Sequence, residues 1–181
     1  MQIFVLPRGW LASACALLLS LALPAAAAER DCGGDAAMPT AACNKQRVQA
    51  AFAGWAEGRG SFFDRVLSPE VVWTIEGSGP RAGTLRGREA LVRQAVQPLA
   101  ERLATPLRPL HWDVWADGDH VIVVWEGAAR LRDGGEYRNR YAWILRMQAG
   151  RAVEVHAFLD LVRYSEVLDR APAGASARAT R

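Results

Sequence analysis

Four segments of strand-like composition follow one another in the second half of the chain, and no other feature constrains its fold as strongly. They are rich in the β-branched and aromatic residues that suit a pleated sheet, and short glycine-containing turns such as Asp117-Gly118 separate them. Consecutive strands joined by short turns pair in an antiparallel manner. The sequence therefore predicts a meander whose four strands occupy residues 107–115, 120–131, 137–147 and 152–162.

The chain before this meander has mainly helical patterns. Asn44 is a suitable N-terminal cap, and Val48, Phe52 and Trp55 follow at helical spacing. These three side chains would share one apolar face. The pattern predicts a first helix over residues 45–57.

Further elements complete the predicted fold. A short helix follows Ser61, a strand covers residues 71–76, and a third helix covers residues 88–104, where Pro98 must kink or split it. A last short helix is expected around residues 164–169. Helices and strands are thus segregated along the chain, which indicates the α+β class, with helices on one face of a mainly antiparallel sheet. Because strands twist, such a sheet curls, and its helical roof leaves a conical cavity at one end.

The N-terminal segment has the three-part pattern of a secretory signal peptide. One positive charge, Arg8, precedes an apolar run over residues 10–23, and four alanines follow before Glu29. The run is too short to span a membrane. We expect residues 1–28 to be removed, leaving a periplasmic or secreted protein without a membrane anchor. The alternative, a lipidated Cys15, would put most of the apolar run after the cleavage site.

The mature chain keeps two cysteines, Cys32 and Cys43, in an N-terminal arm over residues 29–43. Exported proteins occupy oxidising compartments in which disulfides persist, so we predict a bridge between them. A metal site is the alternative, but neither a C-x-x-C spacing nor a neighbouring histidine supports it. At the other end, residues 171–181 contain, besides Pro172, no apolar side chain larger than alanine, and we expect a disordered tail.

Charge and motif content exclude several function classes. The formal net charge is +3, and the positive residues are scattered, so we expect no nucleic-acid partner. The glycines of residues 77–80 form a turn rather than a G-x-G-x-x-G motif, and the sequence has neither a P-loop lysine nor a G-x-S-x-G elbow. His111 and His120 are isolated. We therefore expect no cofactor and no metal.

Three stretches carry a resemblance to a known family: VWTIEGSGP (72–80), DGGEYRNRYAW (133–143) and FLD (158–160). Residues 44–170, which contain these stretches, resemble the SnoaL-like, ketosteroid-isomerase-related proteins of the nuclear transport factor 2-like (NTF2-like) superfamily. This resemblance implies a cone-shaped α+β domain, with about three N-terminal helices roofing a curved sheet. It also implies a small-molecule pocket and a homodimer. The family includes isomerases, cyclases, hydrolases, dehydratases and members without known activity.

The ketosteroid isomerase machinery itself is not expected. That enzyme uses an aspartate base together with a tyrosine and a protonated aspartate as oxyanion donors. Alignment of the family's glycine-rich turn puts the base position near Thr74 and the oxyanion positions near Ala50 and Trp143. Threonine is no base at neutral pH and alanine donates nothing, so we do not expect steroid isomerisation by that mechanism.

One face of the third predicted meander strand supplies candidate ligand-binding groups. Tyr137, Asn139 and Tyr141 alternate along this strand and therefore share a face, where they would orient a carbonyl- or hydroxyl-bearing ligand. The alternative is a closed core in which their polar groups bond to the backbone. Trp73 and Trp125 are further candidates for the cavity wall.

Two carboxylates are candidates for acid–base catalysis. Asp160 lies where SnoaL-like enzymes carry their acid/base aspartate, as the resemblance implies; alternatively it caps the last helix. Glu76 ends the first strand beside the glycine-rich turn, where it would be either a general acid or base or a solvated rim charge. We expect an exported domain with a pocket for a small apolar molecule and cofactor-free isomerase or lyase chemistry. The alternative is a non-catalytic ligand-binding or dimeric assembly module.

Overall fold

The computed structural model describes Cys32 and residues 40–170. The predicted signal peptide, most of the predicted arm and the predicted tail lie outside the described residues. The elements follow one another as α1 (Ala41–Ala56), α2 (Phe62–Val66), β1 (Leu67–Ile75), β2 (Gly83–Arg86), α3 (Arg88–Leu91), a π-helical turn (Val92–Val96), α4 (Gln97–Ala100), β3 (Arg108–Asp117), β4 (His120–Arg130), β5 (Glu136–Gln148), β6 (Arg151–Leu159) and α5 (Leu161–Leu168).

Six strands form one curved, open sheet in the order β2-β1-β6-β5-β4-β3. Neighbouring strands pair antiparallel except β1 and β6, which run parallel. Through this parallel pair, β1 lies beside β6, the last strand of the meander. The predicted α+β class, with a mainly antiparallel sheet and a four-stranded meander, is confirmed.

The main core lies between the helices and the concave face of the sheet. Buried and more exposed residues alternate along β4 and β5, as strands with one covered face require. Helix α1 places the fully buried Val48 and Phe52 on this face. The ring of Phe52 meets those of Phe62 and Trp125 edge-on, at centroid distances of 5.0 and 5.6 Å. Such a buried side chain stabilises the fold by about 1.5–3 kcal/mol.

Helix α1 begins earlier than predicted. Thr40, rather than Asn44, is its N-terminal cap, and the Thr40 side chain accepts a hydrogen bond from the Cys43 backbone N–H at 3.3 Å. Alanines favour the added first turn, and Asn44 becomes a buried helical residue. In that first turn, Cys43 forms the predicted disulfide with Cys32. Disulfides are typical of proteins outside the reducing cytosol.

Pro98 splits the third helix as expected. It lies in the first turn of α4, where its missing N–H costs no helical hydrogen bond, and the π-helical turn precedes α4. The sequence pattern does not predict the short strand β2. Its four residues pair with β1, and Val72 lies opposite Arg86. Gly87, at φ 86°, then redirects the chain into α3.

Among the described residues, the helices are all too short or too polar to cross a membrane.

Candidate functional site

The concave face of the sheet borders a cavity of about 520 Å³. Its deep wall consists of buried side chains from the sheet and from the helices, with Trp73, Trp125, Tyr141 and Trp143 on the strands. The exposed residues that line it form its mouth; they are Ala100, Ala104, Thr105, Pro106 and Arg132.

The apolar residues that line the cavity belong to two hydrophobic clusters. The larger cluster contains the main core, and the smaller one joins Leu99 and Leu103 to Tyr164 of α5. The Tyr164 hydroxyl donates to the carbonyl oxygen of Ala95 at 2.9 Å, within the π-helical turn. This bond ties α5 to the helical side wall and holds the two sides of the cavity together.

Aromatic rings cover much of the deep wall. Tyr141 stacks on Trp125 with centroids 3.9 Å apart and planes 10° apart, and Trp143 meets Trp73 edge-on at 5.1 Å. Such rings offer flat apolar surface, which suits a ligand that itself contains rings. The buried Trp125 Nε1 has no hydrogen-bond partner among the described residues.

Only one of the three polar candidates on β5 borders the cavity. Asn139 is 3% exposed and binds the backbone of Asp160 at both ends of its amide: Nδ2 donates to the carbonyl oxygen at 3.0 Å, and Oδ1 accepts from the N–H at 3.1 Å. Tyr137 is buried behind Tyr141, and their hydroxyl oxygens lie 2.8 Å apart. Tyr137 and Asn139 are therefore core residues that support Tyr141, which lines the cavity.

The hydrogen bonds of Tyr137 bear on which acceptor the Tyr141 proton can reach. Asn139 Nδ2 donates to the Tyr137 hydroxyl at 3.0 Å, so that oxygen already acts as an acceptor. Either hydroxyl can donate to the other. When Tyr137 donates, its own proton is used, and Tyr141 keeps its proton for a different acceptor, such as a ligand in the cavity that Tyr141 lines.

Burial makes ionisation of these phenols still less favourable than it is in water. Loss of hydration raises the pKa of Tyr141 well above its ordinary value, and it raises the pKa of Tyr164 to about 12. The pKa of Tyr137 is raised for the same reason. At physiological pH the hydroxyl of Tyr141 is therefore a neutral donor rather than a phenolate base.

The two carboxylates predicted as acid or base do not border the cavity. Glu76 follows the alternation of β1 onto the opposite face of the sheet, where its Oε1 lies 2.7 Å from Nδ1 of His156. This hydrogen bond raises the pKa of the half-exposed His156. Asp160 is the N-terminal cap of α5, because its Oδ1 accepts from the backbone N–H groups of Val162 and Arg163 at 3.0 and 3.1 Å. Neither carboxylate is therefore among the groups that line the cavity, and Asp160 has the alternative role of helix cap.

The described residues contain no group of three or more His, Cys, Asp or Glu side chains that could hold a metal. Trp73 and Trp125, which the sequence offers as candidates for the cavity wall, are among the residues that line it. Sequence reasoning missed Tyr164 and Arg132, whose positions depend on contacts distant in the chain. Tyr164 carried a detectable signal, since it lies on the apolar face of the predicted last helix.

The opposite face of the sheet carries exposed apolar side chains. Trp115 of β3 lies opposite Ile122 of β4. In the next cross-strand row, Val124 of β4 and Phe158 of β6 lie on either side of Ala142 of β5. The side chains of Trp115, Ile122, Val124 and Phe158 are all exposed. This group of four residues is called the outer apolar patch below.

Comparison with known proteins identifies related folds. The model of the SnoaL-like domain family matches residues 48–155, whereas no curated protein matches. An NTF2-like protein from Burkholderia thailandensis E264 has a similar structure (24% identity, TM-score 0.56, 70% of this chain and 98% of that chain covered). So do a putative SnoaL-like polyketide cyclase from Jannaschia sp. CCS1 (17%, 0.57, 77% and 100%) and TerC co-crystallised with polyporic acid (18%, 0.56, 70% and 98%). At these identities the likeness shows the fold.

Proposed function

Because the chain belongs to the SnoaL-like domain family of the NTF2-like superfamily, we propose that its cavity binds a small, largely apolar molecule that contains rings. The observation that carries this proposal is the cavity of about 520 Å³ with its aromatic wall. Small-molecule sites in proteins commonly enclose about 300–1,000 Å³ and combine apolar walls with few polar groups.

Tyr141 supplies the polar contact in the deep wall. A neutral donor beside stacked rings suits a carbonyl or ether oxygen on an otherwise apolar ligand. The structural similarity to TerC, which was crystallised with polyporic acid, is consistent with small-molecule binding on this fold.

Binding without proton transfer is better supported than isomerase or lyase chemistry. General acid–base catalysis needs a titratable group within hydrogen-bond reach of the substrate. The described residues that line the cavity include no carboxylate and no histidine, and Arg132 is the charged side chain among them. The phenols are neutral at physiological pH and burial raises their pKa further, so they are suited to orienting a ligand.

We place this binding function outside the cytoplasm. The sequence pattern of residues 1–28 predicts export, and the Cys32–Cys43 disulfide supports an oxidising compartment. The protein would then bind its ligand in the periplasm or outside the cell. Comparison of the mature and full-length masses after expression in a Gram-negative host tests the predicted cleavage before Glu29.

The binding proposal can be tested with N-phenyl-1-naphthylamine, a neutral fluorophore whose emission rises in apolar surroundings. Ala157 is buried in the cavity wall opposite Trp143, so Ala157→Phe would fill the space beside the ring. Ala128→Phe, at a half-buried position on the other face of the sheet and outside the cavity, is the matched control. We expect saturable binding by the wild type and the control, and at least a tenfold loss of affinity in Ala157→Phe.

Equal affinity in Ala157→Phe and the wild type would contradict binding in this cavity, as would the absence of saturable binding to the wild type. Circular dichroism and thermal unfolding establish that each variant is folded. These controls matter because overpacking of a core costs about 1–3 kcal/mol.

A second candidate function is assembly of two copies through the outer apolar patch. Exposed contiguous apolar surface on a soluble domain often marks an interaction site. Sedimentation equilibrium tests this candidate: the wild type is expected to have a dimer mass, and Ile122→Glu a monomer mass. Val92→Glu, which changes an exposed apolar residue outside the patch, is the control and should remain dimeric. A monomeric wild type would exclude this candidate.

A further inference from the structure

The mouth of the cavity carries one charged side chain among the described lining residues, that of Arg132. The other exposed lining residues, from Ala100 to Pro106, are apolar or uncharged. Deep apolar walls with a single cation at the opening form an amphipathic site. Such a site favours an amphipathic ligand.

The backbone fixes Arg132 at this position. Leu131 and Leu103 form an isolated antiparallel bridge, and the Arg132 N–H donates to the carbonyl oxygen of Arg102 at 3.0 Å. The side chain is also held, because its Nε donates to the carbonyl oxygen of Glu101 at 3.0 Å. One of the five guanidinium N–H groups is thereby used, and the four on the terminal nitrogens are left for other acceptors.

Neighbouring carboxylates are occupied elsewhere. The Glu101 carboxylate accepts a hydrogen bond from Nε2 of Gln97 at 3.1 Å, on the preceding helical turn. Asp133 forms an ion pair with Arg170, which together with the Gly135 N–H lowers the pKa of its carboxyl. Within the described part of the chain, Arg132 takes part in no ion pair.

We propose that the ligand carries a carboxylate and that Arg132 binds it at the mouth while the apolar, ring-containing body fills the cavity. This inference rests on the proposed binding function and specifies the ligand class. An arginine with free terminal N–H groups matches the two oxygens of a carboxylate, and such paired bonds are stronger than those between neutral groups. At the mouth the carboxylate stays near water, so it loses little hydration. Against the deep aromatic wall the same group would lose its hydration and would have no cationic partner there.

The test uses two fluorescent probes that share one apolar body: 1-pyrenebutyrate, which has a carboxylate, and 1-pyrenebutanol, which has a hydroxyl group instead. Each is titrated into the full mature protein and into the variants Arg132→Gln and Arg130→Gln. Arg130 is the matched control, since it is an exposed arginine two residues away that does not line the cavity.

We expect the wild type to bind pyrenebutyrate more tightly than pyrenebutanol. Arg132→Gln should weaken pyrenebutyrate binding five- to tenfold and leave pyrenebutanol binding unchanged, and raised salt should weaken only the former. Arg130→Gln should match the wild type with both probes. Arg132→Lys should recover part of the loss, because it restores the charge without the paired donors.

Two failures are distinguishable. If the wild type and Arg132→Gln bind pyrenebutyrate equally while both bind pyrenebutanol, the carboxylate inference is overturned and the apolar cavity stands. If the wild type binds neither probe and also fails to bind N-phenyl-1-naphthylamine, the proposed function itself is overturned. An equal loss in the Arg130→Gln control would show a general charge effect and would also overturn the assignment to Arg132.

Discussion

Replacement of Asn139 by alanine tests whether the polar groups on β5 belong to the core or to the binding site. The side chain is 3% exposed and makes three hydrogen bonds, two with the Asp160 backbone and one with the Tyr137 hydroxyl. Each such bond contributes about 1 kcal/mol net, and a buried partner left unsatisfied costs about 1–3 kcal/mol. Loss of all three should therefore lower the free energy of unfolding by about 3 kcal/mol.

Urea unfolding followed by circular dichroism measures this change, and Gln148→Ala is the control. Gln148 is an exposed residue on the same strand, so its replacement should change the free energy of unfolding by less than about 0.5 kcal/mol. The affinity of folded Asn139→Ala for N-phenyl-1-naphthylamine should stay within about threefold of the wild type, because Asn139 does not line the cavity. A destabilisation below 1 kcal/mol together with a large loss of affinity would refute the core assignment.

Three further substitutions separate the roles of the remaining polar groups. Tyr141→Phe should weaken binding of 2-acetylnaphthalene about five- to tenfold, the value of one hydrogen bond to its carbonyl, and leave N-phenyl-1-naphthylamine binding unchanged. Asp160→Ala removes the cap of α5 and should lower stability by about 1 kcal/mol in urea unfolding, without an effect on binding of either probe. Glu76→Gln should return the pKa of His156 toward its ordinary value of 6.5, as measured by NMR titration. Because the pKa of His156 is raised in the folded state, the pair stabilises the fold fully below about pH 6.5, and this contribution falls as the pH rises through the raised value.

Each of these expectations has a clear contrary result. Unchanged binding of 2-acetylnaphthalene by Tyr141→Phe would show that Tyr141 does not donate into the cavity. A strong loss of probe affinity in Asp160→Ala would indicate that its carboxylate reaches the ligand. A pKa of His156 that stays raised in Glu76→Gln would assign the shift to the neighbouring Glu154, whose Oε1 lies 3.5 Å from Nε2 of His156.

The fold was predictable because its strands are long and their composition is distinct. The alternation of β4 and β5 extends over 11 and 13 residues, and both strands end at turns that contain glycine. Strand β2 was missed because its four residues, which begin at Gly83 and end just before Gly87, are too few to show a detectable period. The start of α1 was misplaced because Thr40 and Asn44 are both suitable caps, and a local pattern does not decide between them.

For the site, the sequence predicts only which side chains of one strand share a face of the sheet. Alternation along β5 put Tyr141 on the covered face of the sheet, where its side chain is buried. It put Tyr137 and Asn139 on the same face. Helix α5 covers part of that face, and the extent of this cover depends on tertiary packing, which a local pattern does not show. Arg132 had no local signal at all, because its place at the mouth depends on the bridge between Leu103 and Leu131.

Native mass spectrometry of the mature protein, purified from the envelope fraction of the cell that makes it, tests the central proposal most directly. We expect the wild type to retain a small molecule and Ala157→Phe, prepared in parallel, to lack it. The N-phenyl-1-naphthylamine complex of the wild type shows whether the instrument preserves bound ligands. A bare wild-type mass under conditions that preserve this probe complex would contradict the proposal that the cavity binds an apolar ligand in the cell.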